Sequence, residues 1–418
     1  MQKYRIRGKN RIMGRLSIGG AKNAALPILA AVCLNESVSE IHNVPPIADT
    51  LASIEILESI GCRVEFEGTT LRVDASAALT HDIPDEIARS MRSSILFVGA
   101  MLGRCGKVNI ATPGGCNLGI RAIDLHVEGL EKMGAIIRTE GEKLYCEANE
   151  LRGAHIKLHT ASVGATENLM LAAVLASGET IIENAAREPE IIDLARFLNE
   201  MGAKVKGAGT GTIVINGVKR LTHTKPHSIM PDRIVAGTYL VAAAITGGLV
   251  TLTDVCPADL VPVTAKLREM GCTICSTANC ITLAAPDRLK SVEITTDVHP
   301  GFPTDMQSQF VAALTLAQGR SVVRETIFEN RHAHAADLNR MGATIRISDD
   351  CRTFVINGME KLHGTTVSAQ DLRGGAALIL AALAAEGETI VTGAEYVQRG
   401  YARIEEDLRQ LGADIVLC

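Results

Sequence analysis

The feature that most limits what this chain can fold into is an internal repeat of about seventy residues, present six times. The pattern Leu-x-x-(Ile/Met/Leu)-Gly-(Ala/Cys) occurs at Leu57–Cys62, Leu130–Ala135, Leu198–Ala203, Leu267–Cys272, Leu338–Ala343 and Leu408–Ala413. Its glycines, 61, 134, 202, 271, 342 and 412, are 73, 68, 69, 71 and 70 residues apart. Three residues after each glycine stands a β-branched residue: Val64, Ile137, Val205, Ile274, Ile345 and Ile415. This spacing predicts an amphipathic helix, a left-handed glycine cap and then a strand. Each repeat also holds a second helix, at Ala21–Leu34, Arg89–Gly103, Gly164–Ala176, Pro231–Thr246, Pro303–Ala317 and Leu372–Ala385. These segments are small and apolar all round, as a helix enclosed within a domain must be. Five of them run through a Gly turn into a short apolar strand, and in the first Asn35–Ser37 makes the turn before Val38–Ile41.

The fold expected is α/β, two domains of three repeats each, arranged as inside-out α/β barrels. The sixth copy stops at Ile415–Cys418, and the missing extended segments are found at Tyr4–Arg7 and Arg15–Ile18. Residues 1–21 are therefore expected to complete the sixth repeat. One domain is then 22–229, the other 230–418 with 1–21. Two chain crossings, near Lys22 and Met230, make a hinge around an interdomain cleft that can close on a ligand.

Composition narrows the function. A net charge of −5 over 418 residues speaks against general nucleic-acid binding. The apolar run Ile234–Val250 is too short and too broken for a membrane span, and Met1–Arg15 has no apolar stretch of a signal peptide. Eleven scattered cysteines suit a reducing cytoplasm. Cys272, Cys275 and Cys280 are close together, but Cys272 falls at an expected strand and no second Cys/His pair follows, so no metal is expected.

Charge is patterned more tellingly than it is balanced. The starts of the apolar helices carry Lys22-Asn23, Arg92 (one turn in), Thr166, Asp232-Arg233, Asp305 and Asp371 with Arg373, and later loops add Arg121, Arg187, Arg331 and Arg399. Taken singly, each cation reads as a solvated surface charge. Their recurrence at equivalent ends of the repeats reads as an anion-binding lining, since helix N-termini also favour anions. Asp305, entered through Pro300-Gly301-Phe302-Pro303-Thr304, is either a helix-terminal charge or a general base, and Asp371 serves equally as an N-cap. The stretch Thr112-Pro113-Gly114-Gly115-Cys116-Asn117-Leu118-Gly119-Ile120-Arg121 is either a surface turn with an incidental cysteine or a mobile loop presenting a thiol. Arg121 would favour its thiolate.

Several of these stretches together resemble the enolpyruvyl transferases, specifically the branch acting on UDP-N-acetylglucosamine. The matching segments are Gly20-Ala21-Lys22-Asn23-Ala24-Ala25-Leu26-Pro27, the Pro-Gly-Gly-Cys loop with Arg121, Pro303-Thr304-Asp305-Met306-Gln307, Phe328-Glu329-Asn330-Arg331, Asp371-Leu372-Arg373 and Arg399-Gly400-Tyr401. The resemblance implies transfer of enolpyruvyl from phosphoenolpyruvate to the sugar 3′-hydroxyl, the first committed step of peptidoglycan synthesis. It makes Cys116 the general acid, able also to form a covalent adduct, and Asp305 the base. Lys22, Asn23, Arg121 and Arg399 would hold phosphoenolpyruvate. Asn23, Arg92, Arg121, Ser162, Val163, Gly164, Asp305, Ile327 and Arg331 would hold the UDP-sugar, with Asp371 and Arg373 in support. It implies no cofactor, no metal, a cytoplasmic monomer and sensitivity to fosfomycin. Two positions depart from the family pattern. Thr160 stands where a Lys helps hold the diphosphate, leaving that contact to a residue such as Arg92 or His126, and Ala122 stands where a proline is common. The competing readings are the shikimate-pathway branch and a non-catalytic UDP-sugar-binding paralogue.

Overall fold

A computed structural model describes residues 2–77, 79–114, 123–222 and 225–418. The chain divides into two compact units, one joining the residues up to Gly19 with Pro231–Cys418, the other running from Gly20 to Met230. Each unit has its own hydrophobic core, built mainly of Ala, Leu, Ile and Val.

The repeat is visible as six small sheets of one plan, five with four strands and one with three among the described residues. In the third repeat, edge strand His155–Lys157 runs parallel to Glu179–Glu183; that strand is antiparallel to Thr212–Asn216, which is antiparallel to Lys204–Lys206. The second repeat replaces the edge strand with a single bridge between Asp82 and Asn109. An apolar helix follows the edge strand, and an amphipathic helix links the next strand to the closing hairpin.

The recurring Leu–Gly motif makes the same cap in all six copies. The glycines have φ between 95° and 105°, a region that costs any residue with a Cβ. The N–H after each glycine donates to the carbonyl of the motif leucine at 2.9–3.1 Å, as from Ala203 to Leu198 at 3.0 Å. That leucine is at most 1% exposed in every copy, so the cap both closes the helix and fixes a core side chain. Gly202→Ala isolates the backbone cost, because a methyl there would meet no atom within 4 Å. It is expected to lower stability by about 1–2 kcal/mol in urea denaturation with helix content unchanged. An unchanged midpoint would show that the cap relaxes without strain.

The apolar helices are Lys22–Ala31, Leu96–Cys105, Val163–Ala173, Arg233–Thr246, Gln307–Leu314 and Leu372–Ala384. Their small residues permit close approach: a Cβ on Gly99 would stand 2.2 Å from the Asn168 carbonyl oxygen.

The terminal segment departs from expectation. Lys3–Arg7 lies between Glu388–Thr392 and Asp414–Leu417, antiparallel to both, and so completes the sixth sheet. Met13–Ser17 instead joins the fourth, parallel to Leu249–Thr253. His227–Ser228 in turn serves the first, parallel to Val38–His42. At both crossings the chain leaves its unit between an edge strand and the helix after it. The strand's N–H and C=O groups are paired within the unit it has not yet left.

Candidate active site

In the unit from Gly20 to Met230, Lys22 is the first residue of its helix and 9% exposed. Its Nζ lies 2.8 Å from Oδ2 of Asp49, itself 5% exposed in the first turn of helix Ala48–Ser59. Burying an ammonium requires such a partner. Sequence reasoning missed Asp49, because an Asp in a helix first turn reads as a dipole charge. Asn23 follows on the same turn, half-buried.

Arg92 is placed differently from expectation. Helix Asp85–Ser90 ends at Met91, which is extended, and Arg92 opens a 3-10 turn, Arg92–Ile95, that runs into Leu96–Cys105. The cause is Ser94, whose hydroxyl lies 2.7 Å from the Ala88 carbonyl and 3.0 Å from that of Met91, offering the backbone an alternative partner. Arg92 therefore stands at a helix start rather than one turn inside a continuous helix.

Ser162 caps Val163–Ala173, its hydroxyl accepting from the Ala165 N–H at 3.3 Å. Val163 and Gly164 are half-buried, and their N–H groups are among the first of the helix, which have no intrahelical acceptor. Thr166 ties this end to the loop before Pro189, donating to Ser162 O at 2.8 Å and accepting from Ala186 N at 3.0 Å. Cys116, Arg121 and Ala122 lie outside the described residues.

In the other unit, three of the inner helices begin beside an aspartate, and the three are used differently. Asp232 caps Arg233–Thr246, accepting from Ile234 and Val235, and Asp371 caps Leu372–Ala384, accepting from Arg373 and Gly374. Asp305 lies inside the 3-10 turn Thr304–Met306, whose N-cap position is Pro303. Its Oδ1 receives Arg331 Nη1 and its Oδ2 receives Arg373 Nη2, both at 2.9 Å. The arginines are 3% and 5% exposed, whereas 23% of the Asp305 side chain is open. Burial raises the Asp305 pKa, but Arg373 and Arg331 outweigh it and hold the carboxyl well below the usual carboxylate range.

The surroundings fix both guanidiniums. Arg331 lies over the Phe328 ring at 4.6 Å and Arg373 over that of Tyr401 at 5.9 Å. The Tyr401 hydroxyl is 2.8 Å from that of Thr238. Gly400, whose Cβ would stand 2.6 Å from Leu372 Cδ2, lets the loop of half-buried Arg399 lie on the start of the Arg373 helix. Ile327 is 37% exposed. A second residue missed from sequence is Glu325, 2% exposed, whose Oε1 accepts from the N–H groups of Ile327 and Phe328. Its Oε2 accepts from the Thr304 hydroxyl at 2.8 Å, so one carboxylate positions both the Ile327 loop and the turn holding Asp305. Nothing in the local sequence separates Glu325 from an ordinary charge at a strand end. Among the described residues, no three His, Cys, Asp or Glu side chains are grouped to hold a metal.

One unit thus offers a buried lysine at a helix start, and the other a carboxylate gripped by two buried arginines. Anions with several oxygens suit such cations. The sequence matches the family described as EPSP synthase (3-phosphoshikimate 1-carboxyvinyltransferase) over residues 6–408. It is 50% identical over 417 residues to UDP-N-acetylglucosamine 1-carboxyvinyltransferase 2 of Caldanaerobacter subterraneus subsp. tengcongensis, covering 100% of this chain and 99% of the relative. It is 46% identical to the UDP-N-acetylglucosamine 1-carboxyvinyltransferase of Magnetococcus marinus, covering 99% of each. Among solved structures, the enolpyruvyl transferase NikO from Streptomyces tendae superposes with a TM-score of 0.90 at 26% identity, covering 100% of this chain and 98% of NikO. EPSP synthase from Acinetobacter baumannii gives 0.77 at 20% identity, covering 100% of both chains, a likeness of fold alone.

Proposed function

The chain belongs to the EPSP synthase family of enolpyruvyl transferases, and from that premise we propose how its residues carry out the reaction. It transfers the enolpyruvyl group of phosphoenolpyruvate to the 3′-hydroxyl of UDP-N-acetylglucosamine and releases phosphate. Full-length identity near one half to proteins named for that acceptor supports this choice over shikimate 3-phosphate. The structural observation that supports a catalytic chain is Asp305, whose two carboxylate oxygens are gripped by Arg331 and Arg373 while its side chain stays partly open.

In our reading the residues of the two units act on one pair of substrates. Lys22, Asn23, Arg121 and Arg399 hold the carboxylate and phosphate of phosphoenolpyruvate. Asn23, Arg92, Arg121, Ser162, Val163, Gly164, Asp305, Ile327 and Arg331 hold the UDP-sugar. Asp371 fixes the backbone of Arg373, which with Arg331 orients Asp305. Cys116 gives a proton to the methylene carbon of phosphoenolpyruvate while the sugar oxygen bonds to its neighbouring carbon and Asp305 takes the hydroxyl proton. The Cys116 thiolate then takes a proton back from the methyl group of the resulting tetrahedral adduct, and phosphate leaves with the proton held by Asp305, restoring the double bond. The grip of Arg331 and Arg373 makes Asp305 a weak base until substrate anions draw the guanidiniums away. The same reading makes the chain a cytoplasmic monomer serving peptidoglycan synthesis. Among the described residues, no helix is long and apolar enough to cross a membrane.

Phosphate release from phosphoenolpyruvate, measured with each acceptor in turn, tests this. Turnover is expected with UDP-N-acetylglucosamine and not with shikimate 3-phosphate. Binding of the UDP-sugar without turnover would favour a non-catalytic role.

A further inference from the structure

Beside Gly164 lies a histidine whose protonation pattern is fixed by a chain of hydrogen bonds starting in another helix. The Gly99 N–H of Leu96–Cys105 donates to Asn168 Oδ1 at 2.7 Å. That bond sets the orientation of the Asn168 amide, so its Nδ2 faces the ring of His126 and lies 3.0 Å from Nδ1. A neutral imidazole with Nδ1 as acceptor carries its proton on Nε2. His126, in the first turn of Asp124–Lys132, is 7% exposed, and Asn168 is fully buried. The other edge of the ring faces the N-terminal turn of Val163–Ala173: a Cβ on Gly164 would stand 3.4 Å from Cε1 and 3.6 Å from Nε2.

We propose that Asn168 is a positioning residue for the sugar nucleotide. By holding His126 as the Nε2–H tautomer, it aims one neutral donor beside Gly164 at an oxygen of the UDP-sugar. This rests on the reading above, in which Ser162, Val163 and Gly164 bind that substrate. A neutral donor complements the helix N–H groups without adding a charge that would need its own partner. Two charged groups act on the ring, Arg92 from its 3-10 turn and Asp124 from its own helix, while Val163–Ala173 presents Gly164 and Asn168, both neutral. Burial pushes the imidazole down to about 4, Arg92 works in the same direction, and Asp124 opposes them. The wild-type ring therefore stays neutral across the working range of pH.

Asn168→Asp reverses the pattern with almost no change of shape. One carboxylate oxygen still accepts from Gly99, but the other now accepts a hydrogen bond from Nδ1–H, leaving Nε2 bare when the ring is neutral. The carboxylate also raises the imidazole pKa. Above that new pKa, KM for UDP-N-acetylglucosamine is expected to rise about tenfold, the size of one hydrogen bond. As pH falls through it, both nitrogens become protonated, the Nε2–H returns and KM falls again. The KM for phosphoenolpyruvate should stay level, and wild type should show no such titration between pH 6 and 8. A purely structural role for Asn168 would not make acceptor KM follow pH. An acceptor KM unchanged at every pH, in a variant that still turns over UDP-N-acetylglucosamine, overturns the proposal and leaves the assigned reaction standing. Wild type failing to use that acceptor would overturn the reaction itself. Nitrogen NMR of labelled histidine in the wild type decides even if the variant does not fold. Expected are a bare Nδ1 and an Nε2–H signal that shifts on adding UDP-N-acetylglucosamine. A protonated Nδ1, or an Nε2–H indifferent to the nucleotide, overturns the proposal.

Discussion

Asp305→Asn is expected to cut turnover by roughly a hundred- to ten-thousand-fold, the usual contribution of a positioned acid or base. Asparagine keeps the shape but has no lone-pair charge to take the sugar proton. The same change should be felt in stability. The Asn amide oxygen can accept from one guanidinium only, while its NH2 faces the other, so a buried arginine loses its counter-charge. Breaking a buried pair from one side costs about 3 kcal/mol or more. Because the folded pKa of Asp305 lies below its unfolded value, its contribution is complete above the ordinary aspartate pKa of about 4. It is lost progressively as pH falls from there to the lower, folded value. The stability gap between wild type and variant should therefore be level from pH 5 to 8 and narrow in acid. Steady-state assays paired with urea denaturation at several pH values check both halves. Turnover above a tenth of wild type would refute the base assignment, and an unchanged midpoint would refute the energetic role of the ion pairs.

Cys116→Ala is the second large effect expected, with turnover again falling by roughly a hundred-fold or more, since no other group is proposed to protonate the methylene carbon. The thiol can be tested independently with fosfomycin and intact mass. Four described cysteines, Cys105, Cys256, Cys275 and Cys418, are exposed and compete for any indiscriminate electrophile. Reactivity follows the thiolate, however, and two of these are pushed the wrong way. Burial raises Cys105 against the opposing field of Arg104, and burial with Asp259 raises Cys256. One adduct is expected on wild type and none on Cys116→Ala. A variant that is still labelled, or a labelled wild type that keeps its activity, would remove Cys116 from the mechanism.

How much of this was legible beforehand depended on whether the signal was local. The six Leu–Gly caps were read from spacing alone, because a left-handed cap, a buried leucine and a following strand all lie within eight residues and recur. Lys22, Asp305, Arg331 and Arg373 were legible as charges at equivalent ends of repeats and through likeness to a known family. The direct contact of Asp305 with both arginines was not. It brings together residues 26 and 68 positions apart in sequence. Asp49 and Glu325 were missed for the same reason, since each resembles a surface charge until its distant partner is in place. The edge-strand exchange was likewise invisible: Met13–Ser17 has the sequence of its repeat, but its pairing depends on which unit supplies the open strand. Sequence by itself determined the repeat, the alternation of apolar and amphipathic helices, and the inventory of charges. Tertiary structure alone decided which carboxylate carries a lysine and which is gripped by two arginines. Capping is settled within three residues of backbone, whereas an ion pair is settled by whatever the folded chain brings within about 3 Å.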